Sequence, residues 1–235
     1  MSLLNKKILF AGTTSSGSSA LFDYFRCFKN TYSLETEMSK TWRRNIYSEW
    51  KSQNFSDTNA ELYRVILNAR IEIEFNKRFK NISQDSILLL NNIVTCLTLQ
   101  GISLLDNTMV VCVLRDPRST WLKRRFLCMK KNKSIKVEQF IKEYRGQRER
   151  FSENLKNLKC KYKIYIVNFE DFILSDEYKE TVVNHLGFNM KDYPANPEYA
   201  PYCKERSILQ HHFYENQDEI ELIKKELKRY CHAKV

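Results

Sequence analysis

The stretch that decides the fold reads KKILFAG at 6–12, TTSSGSS at 13–19 and ALFDYFRCF at 20–28. Its first part has the short apolar run of a buried strand and ends in a glycine. Its last part carries apolar residues at the spacing of one helix face: Leu21, Tyr24, Phe25 and Phe28. We therefore predict a strand, a loop of small residues and a helix, in that order.

Further apolar runs alternate with helical patterns along the rest of the chain. We predict strands at 30–37, 86–91, 108–114 and 161–169. We predict helices within 42–80, from Pro117 onward, at 178–186 and at 215–231. Gly187 is predicted to cap the helix at 178–186. Apolar strands that alternate with helices indicate a parallel sheet covered on both faces. The predicted fold class is α/β, a three-layer sandwich with a central parallel sheet.

The composition favours an anionic partner. The chain has 235 residues with 39 Lys+Arg against 28 Asp+Glu, a net charge of +11. Nucleic acid, a phosphate-bearing cofactor, an acidic glycan and a membrane surface all fit such a charge. A nucleic-acid partner is disfavoured, because no nucleic-acid-binding motif accompanies the charge.

Cysteine usage and hydropathy bear on the compartment. The 7 cysteines are scattered without a Cys-x-x-Cys pair, as in the reduced cysteines of a cytoplasmic protein. No apolar run reaches the roughly 18 residues that a membrane span needs, and the start of the sequence lacks the pattern of a signal peptide. We therefore expect a cytoplasmic protein, of an oligomeric state that the sequence does not specify.

The loop at 12–19 has the context of a phosphate-binding loop, since it follows a strand and opens a helix. Its glycines let backbone N–H groups turn inward, and the helix N-terminus adds about half a positive charge. The loop of nucleotide kinases has a lysine after its second glycine, where this chain has Ser18. A plain strand-to-helix turn is the alternative interpretation.

A second candidate anion contact stands at the end of the apolar run 108–114. Arg115 follows this run directly, and the carboxyl end of a buried strand faces the ligand crevice of α/β proteins. Its guanidinium suits bidentate binding of a phosphate. A structural ion pair with Asp116 or Glu170 is the alternative.

In their order along the chain, these elements resemble the sulfotransferase family. Residues 16–19 are similar to its first loop, Ser-Gly-Thr/Ser-Thr/Ser after a basic residue, and 114–118 are similar to its Arg-Asp/Asn-Pro-Arg/Lys element. Residues 168–172 are similar to its Tyr/Phe-Glu-Asp-Leu element, and 186–188 to the Leu-Gly-Phe that follows. The resemblance spans about the whole chain and is nearest to sulfotransferase-like proteins of bacterial polysaccharide synthesis.

The resemblance implies a P-loop-NTPase-like sulfotransferase fold in one domain over 1–235, with a helical insert at about 38–85. It implies 3′-phosphoadenosine 5′-phosphosulfate (PAPS) as sulfuryl donor, a saccharide or glycan hydroxyl as acceptor, and no metal. The 5′-phosphosulfate would lie on Ser16, Gly17, Ser18 and Ser19.

The same resemblance assigns further nucleotide contacts. Arg115 would bind the 3′-phosphate, helped by Lys123, which stands where the family has a serine. Lys204 and Arg206 lie in the C-terminal segment, about 200–235, that would cover the nucleotide. Ordinary surface charge is the alternative interpretation of these last two residues.

Two catalytic positions depart from the family pattern or stay open. Ser15 stands where the family has Lys or Arg to stabilise charge on the leaving oxygen; Arg43, Arg44, Arg118 and Lys123 are candidate replacements. No histidine precedes Arg115, so the general base that takes the hydroxyl proton is expected to be Glu37, with Glu35 second. The alternative interpretation of both glutamates is that they are solvated carboxylates at the end of a strand.

Other functions stay open at this stage. The chain could be a catalytically degenerate member of the family, a basic nucleotide- or nucleic-acid-binding protein or, with less support, a P-loop nucleotide kinase. The densest basic run, 123–133, would line an acidic acceptor site or form a solvated helix face.

Overall fold

The computed structural model describes residues 5–13, 15–34, 65, 69, 71–79, 82–83, 85–91, 106–159, 163–195, 212 and 214–231. The strands in these ranges are β1 (Lys7–Gly12), β2 (Thr31–Leu34), β3 (Ile87–Asn91), β4 (Thr108–Leu114) and β5 (Lys163–Asn168). The helices are α1 (Ser18–Phe25), α2 (Pro117–Met129), α3 (Val137–Lys159), α4 (Phe169–Leu174), α5 (Asp176–His185) and α6 (Gln217–Glu226). Residues 71–78 are also helical, and short 3-10 turns span Met190–Asp192 and Lys228–Tyr230.

The five strands form one parallel sheet in the order β2-β3-β1-β4-β5. In its register, Phe10 of β1 lies between Asn91 of β3 and Val111 of β4. The chain first extends the sheet on one side of β1 and then on the other, so the strand order reverses beside β1. Ligands of open α/β sheets bind at the carboxyl ends of the strands at such a reversal.

Helices cover both faces of the sheet, because both faces of β1, β3 and β4 are apolar. On one face Leu9, Val110 and their neighbours pack against α3 and the helical residues 71–78. On the other face Ile8, Val111 and Val167 pack against α1, α4 and α5. A third apolar cluster joins α2, α3 and α6 around Trp121. The predicted three-layer α/β architecture is confirmed.

The predicted elements match the observed ones to different degrees. Strand β4 has its predicted bounds, and Gly187 has the left-handed φ of 81° expected of a residue that ends α5. Helix α1 begins two residues before its predicted start, and the predicted helix at 215–231 ends at Glu226 before a 3-10 turn. None of the helices in the described part of the chain is long and apolar enough to cross a membrane.

Candidate functional site

The loop between β1 and α1 turns through two residues with left-handed backbone angles. Ser15 has a φ of 66° and Gly17, the N-cap of α1, a φ of 93°. The Ser16 N–H donates to the Thr13 carbonyl oxygen at 3.0 Å, and the Gly17 carbonyl accepts the N–H groups of Ala20 and Leu21. The backbone N–H groups of Ser18 and Ser19, the first two helical residues, have no carbonyl partner within α1. They are therefore the donors that the loop offers to an anion.

The loop is packed as closely as its glycines allow. A Cβ atom on Gly12 would lie 2.1 Å from Ser16 Oγ and 2.9 Å from the Val113 carbonyl oxygen. Ser16 is only 1% exposed, and its hydroxyl has no hydrogen-bond partner within the described residues. Its side chain thus lies over Gly12, and its own N–H is used inside the loop.

Arg115 reaches the loop from the end of the neighbouring strand β4. Its Nη1 donates to the Ser15 carbonyl oxygen at 3.4 Å, and its guanidinium lies 5.1 Å from the centroid of the Phe169 ring. Its Nε is 3.8 Å from Glu170 Oε1. The structure therefore brings the predicted loop and the predicted arginine together, and the alternative ion pair with Glu170 is present as well.

Asp116 and Arg118 form a separate pair beside Arg115. The Asp116 carboxylate caps α2 by accepting the Arg118 N–H at 2.8 Å, and it accepts two further bonds from the Arg118 guanidinium at 3.0 and 2.8 Å. The pKa of Arg118 is raised mainly by this hydrogen-bonded contact with Asp116. Its charge therefore already has a carboxylate partner, which weakens its candidacy as the replacement for a lysine at position 15.

Glu170 lies beneath this group at the start of α4. It is 2% exposed, and its Oε1 accepts the Asp116 N–H at 3.1 Å. Burial raises its pKa to about 7, although the hydrogen bonds to its carboxylate and the Arg115 charge oppose that shift. A carboxyl that titrates near neutral pH thus adjoins the arginine of the candidate site.

Two more side chains complete the site. Asn91, the last residue of β3, donates from Nδ2 to Ser19 Oγ at 3.4 Å. The Tyr144 hydroxyl, from α3, donates to the Arg115 carbonyl oxygen at 2.8 Å. Asn91, Tyr144, Phe169 and Glu170 are not among the site residues predicted from the sequence. A polar residue at the end of an apolar strand was the available signal for Asn91.

The structure describes the other predicted residues only in part. Lys123 is exposed on α2, with its ammonium 5.8 Å from the Phe126 ring centroid. Lys204, Arg206, Glu35 and Glu37 lie outside the described residues, as do Arg43 and Arg44. The part of the chain that is described contains no cluster of three His, Cys, Asp or Glu side chains placed to hold a metal ion.

The basic run at 123–133 is partly neutralised by the fold. Arg124 pairs with Glu143 of α3, and Arg125 pairs with Glu219 of α6 at 2.9 Å. Trp121, on the same helix, is fully buried and donates to Glu219 Oε2 at 3.1 Å. Both arginines therefore bind neighbouring helices, and only the lysines of the run remain as candidates for an acidic acceptor.

Comparisons with known proteins connect this geometry to one fold. No family model matches the sequence, and no curated protein does. The sulfotransferase domain of the olefin synthase of Synechococcus superposes with a TM-score of 0.57 at 12% identity, over 97% of this chain and 96% of that chain. The sulfotransferase domain from the curacin biosynthetic pathway gives 0.53 at 12% identity, over 96% and 98% of the two chains.

A sulfotransferase from Mycobacterium tuberculosis gives a TM-score of 0.50 at 14% identity, over 95% of this chain and 76% of that chain. At such identities the likeness concerns the fold rather than the activity. The central five-stranded parallel sheet with helices on both faces matches the fold of these neighbours. This protein has the sulfotransferase fold.

Proposed function

We propose that this protein is a sulfotransferase that moves a sulfuryl group from 3′-phosphoadenosine 5′-phosphosulfate to a hydroxyl group of a saccharide. The observation that carries the proposal is the contact of Arg115 with the Ser15 carbonyl, 3.4 Å away. It puts a buried cation from the end of β4 against a turn that opens a helix N-terminus. Those are two anion-binding elements at the reversal of strand order.

The donor has two anionic ends for which we propose separate partners. The 5′-phosphosulfate binds the loop residues 16–19 through the N–H groups that open α1 and through the serine hydroxyls. The 3′-phosphate binds Arg115, whose guanidinium offers parallel donors. Lys123 and the C-terminal pair Lys204 and Arg206 remain proposed contacts of the nucleotide.

The transfer itself is an in-line displacement at sulfur. The acceptor oxygen forms a bond to sulfur while the bond from sulfur to the phosphate oxygen breaks, and a base takes the hydroxyl proton. We propose Glu37 as that base, with Glu35 as the second choice. The products are a sulfate ester and 3′-phosphoadenosine 5′-phosphate, whose new charge lies next to the positive end of α1.

A nucleotide-binding experiment tests the donor assignment. Thermal unfolding would be recorded with 3′-phosphoadenosine 5′-phosphate, AMP, sulfate and magnesium-ATP as separate ligands. At about 100 times its dissociation constant, a ligand stabilises the folded state by about 2.7 kcal/mol. We expect this stabilisation with the 3′-phosphorylated nucleotide and little with AMP, since AMP lacks the group assigned to Arg115.

Arg115→Met should remove that selectivity, whereas Arg145→Met, at an exposed ion pair with Glu226, should keep it. Stabilisation by magnesium-ATP alone would instead indicate a nucleotide kinase and overturn the proposal. Binding without transfer of labelled sulfate to any acceptor would indicate a degenerate member. The acceptor panel includes hydroxylated acyl chains besides saccharides, because two of the structural neighbours come from an olefin synthase and the curacin pathway.

A further inference from the structure

Phe169 and Glu170 follow β5 directly and open α4, and both contact the residues of the candidate donor site. We propose that they are positioning residues, which hold Arg115 and the left-handed turn at Gly17 in one fixed geometry for the anionic groups of the donor. This inference rests on the proposed function, because it assumes that the donor nucleotide is the ligand of Arg115.

The steric part of the argument concerns the Phe169 ring. Phe169 is 2% exposed, and the centroid of its ring lies 5.1 Å from the Arg115 guanidinium, with which it forms a cation–π contact. The same ring is so close to Gly17 that a Cβ atom there would lie 2.4 Å from it. This one rigid side chain therefore contacts both Gly17 and the guanidinium, which itself donates to the Ser15 carbonyl oxygen of the same turn, and it fixes their relative positions.

The electrostatic part concerns the Glu170 carboxyl. Its Oε1 lies 3.8 Å from Arg115 Nε and accepts the Asp116 N–H at 3.1 Å. The contact orients the guanidinium, but the negative charge of an ionised Glu170 opposes a phosphate bound at the same arginine. An anion should therefore bind more tightly when Glu170 carries its proton.

The surrounding groups set the size of this effect. Arg115, Asp116 and Arg118 face Glu170 from the β4–α2 junction, and Tyr144 faces it from α3. With Glu170 ionised, the two arginines and the two carboxylates balance each other. With Glu170 protonated, these four side chains carry a net positive charge, which a bound anion neutralises. By linkage, a donor that binds better to the protonated form draws a proton onto Glu170 as it binds.

Calorimetric titration with 3′-phosphoadenosine 5′-phosphate tests both parts, and the chain offers matched controls. Phe169→Leu is compared with Phe172→Leu, since Phe172 is buried in the same helix but packs among the aromatic residues of α1. Glu170→Gln is compared with Asp171→Asn, because Asp171 accepts a bond from Asn168 in the same helical turn. Thermal unfolding of every variant is recorded alongside.

We expect Phe169→Leu to weaken nucleotide affinity by about tenfold, with little change for Phe172→Leu. Glutamine keeps the acceptor for the Asp116 N–H but loses the charge. Glu170→Gln should therefore bind the nucleotide at pH 8 several-fold more tightly than the wild type, with a shallower pH dependence between about pH 6 and 8. Calorimetric titration in two buffers of different ionisation enthalpy measures the protons taken up on nucleotide binding. At pH 7 the wild type and Asp171→Asn should both take up more protons than Glu170→Gln.

The outcomes separate this inference from the function on which it rests. If the wild type binds the nucleotide but Glu170→Gln keeps the wild-type proton uptake and pH dependence, the role of Glu170 is wrong and the donor site stands. Equal affinities of Phe169→Leu and Phe172→Leu would overturn the role of Phe169 in the same way. If the wild type binds no nucleotide, the proposed function and this inference both fall. The proton-uptake comparison uses the conservative glutamine variant, so it decides the role of Glu170 even where Phe169→Leu does not fold.

Discussion

The ring of Phe169 occupies the place where any side chain on Gly17 would begin. An ideal Cβ atom on Gly17 would lie 2.4 Å from Cδ2 and 2.5 Å from Cε2 of that ring, well inside van der Waals contact. Gly17 belongs to the loop after β1 and Phe169 to the first turn after β5, with β4 between the two strands. The relationship therefore ties the two edges of the candidate site across the middle of the sheet.

Gly17→Ala should destabilise the protein by about 2–4 kcal/mol. The φ of 93° costs a non-glycine residue about 1 kcal/mol or more, and the overlap with the ring adds an overpacking cost of about 1–3 kcal/mol. Urea denaturation measures the loss. The control is Gly146→Ala, in α3, where a Cβ atom would lie 4.0 Å from Arg150 Nη2 and meet nothing closer beyond the backbone of its own helix. This control should gain about 0.5–1 kcal/mol, as alanine does over glycine inside a helix. Equal stabilities of the two variants would contradict the prediction.

Tyr144→Phe should cost about 1 kcal/mol of folding free energy. The buried Tyr144 hydroxyl donates to the Arg115 carbonyl oxygen at 2.8 Å, so its loss leaves that acceptor without this donor. Burial also raises the pKa of Tyr144 well above its ordinary value, so the hydroxyl keeps its proton at any pH of interest. Chemical denaturation of Tyr144→Phe and Tyr230→Phe compares two hydroxyls whose rings are 6.0 Å apart. A loss as large at Tyr230, which has no such bond to Arg115, would show that the effect is not specific to this contact.

The sheet was predictable because its signals are local. Strand β4 combines β-branched residues with a stop at Pro117, and its bounds follow from that pattern. The loop after β1 was recognisable from its glycines and serines for the same reason. Helix α3 was missed although Phe140, Ile141 and Tyr144 have helical spacing, because its many charged residues dilute the apolar pattern.

The sequence offered Glu170 as an alternative partner of Arg115, but it did not indicate that Phe169 contacts both Gly17 and Arg115. The Phe169 contacts depend on β4 lying between β1 and β5, and no short motif states that order. The sequence also did not indicate that Glu170 is buried, whereas the fold leaves it only 2% exposed. The sequence predicted candidate anion-binding residues, whereas the contacts of Arg115 with Phe169 and Tyr144 became visible only in three dimensions.

Glu72→Gln should destabilise the protein by about 3 kcal/mol. Lys7, in β1, is fully buried, and its ammonium lies 3.2 Å from Glu72 Oε1 in the helical residues 71–78. Burial lowers the pKa of Lys7 although Glu72 opposes the shift, so removing the carboxylate leaves a buried charge poorly compensated.

The double variant with Lys7→Met and Glu72→Met should recover most of that stability, since an apolar pair of similar volume avoids the desolvation cost. A double-mutant cycle by urea denaturation measures the coupling between the two residues. Additive effects of the single variants would show that the pair contributes nothing.

Ser15→Lys should raise the rate of sulfuryl transfer by about 100-fold if the proposed function holds. A cation near the leaving oxygen stabilises charge that develops as the bond to sulfur breaks. Ser15 already has a φ of 66°, so the variant needs no new backbone conformation. The control is Ser15→Gln, of similar length but without charge, and the measurement is kcat with a saturating acceptor. An unchanged kcat in both variants would mean that another cation already serves the leaving group.

Glu170→Gln should flatten part of the pH dependence of stability in the free protein. The folded-state pKa of Glu170, about 7, lies above the ordinary value of 4.5, so between these limits the folded protein binds more protons than the unfolded chain. The contribution of Glu170 is therefore complete below about pH 4.5, falls as pH rises, and is lost above about pH 7, a change on the order of 3 kcal/mol. The contribution of Glu170 is measured as the difference between the free energies of unfolding of the wild type and of Glu170→Gln at pH 5, 6, 7 and 8. The two proteins share every other titrating group, so those groups cancel in the difference. Parallel curves for the two proteins would show that Glu170 ionises in the folded state as it does in water. The matched control Asp171→Asn should keep the decline that Glu170→Gln loses.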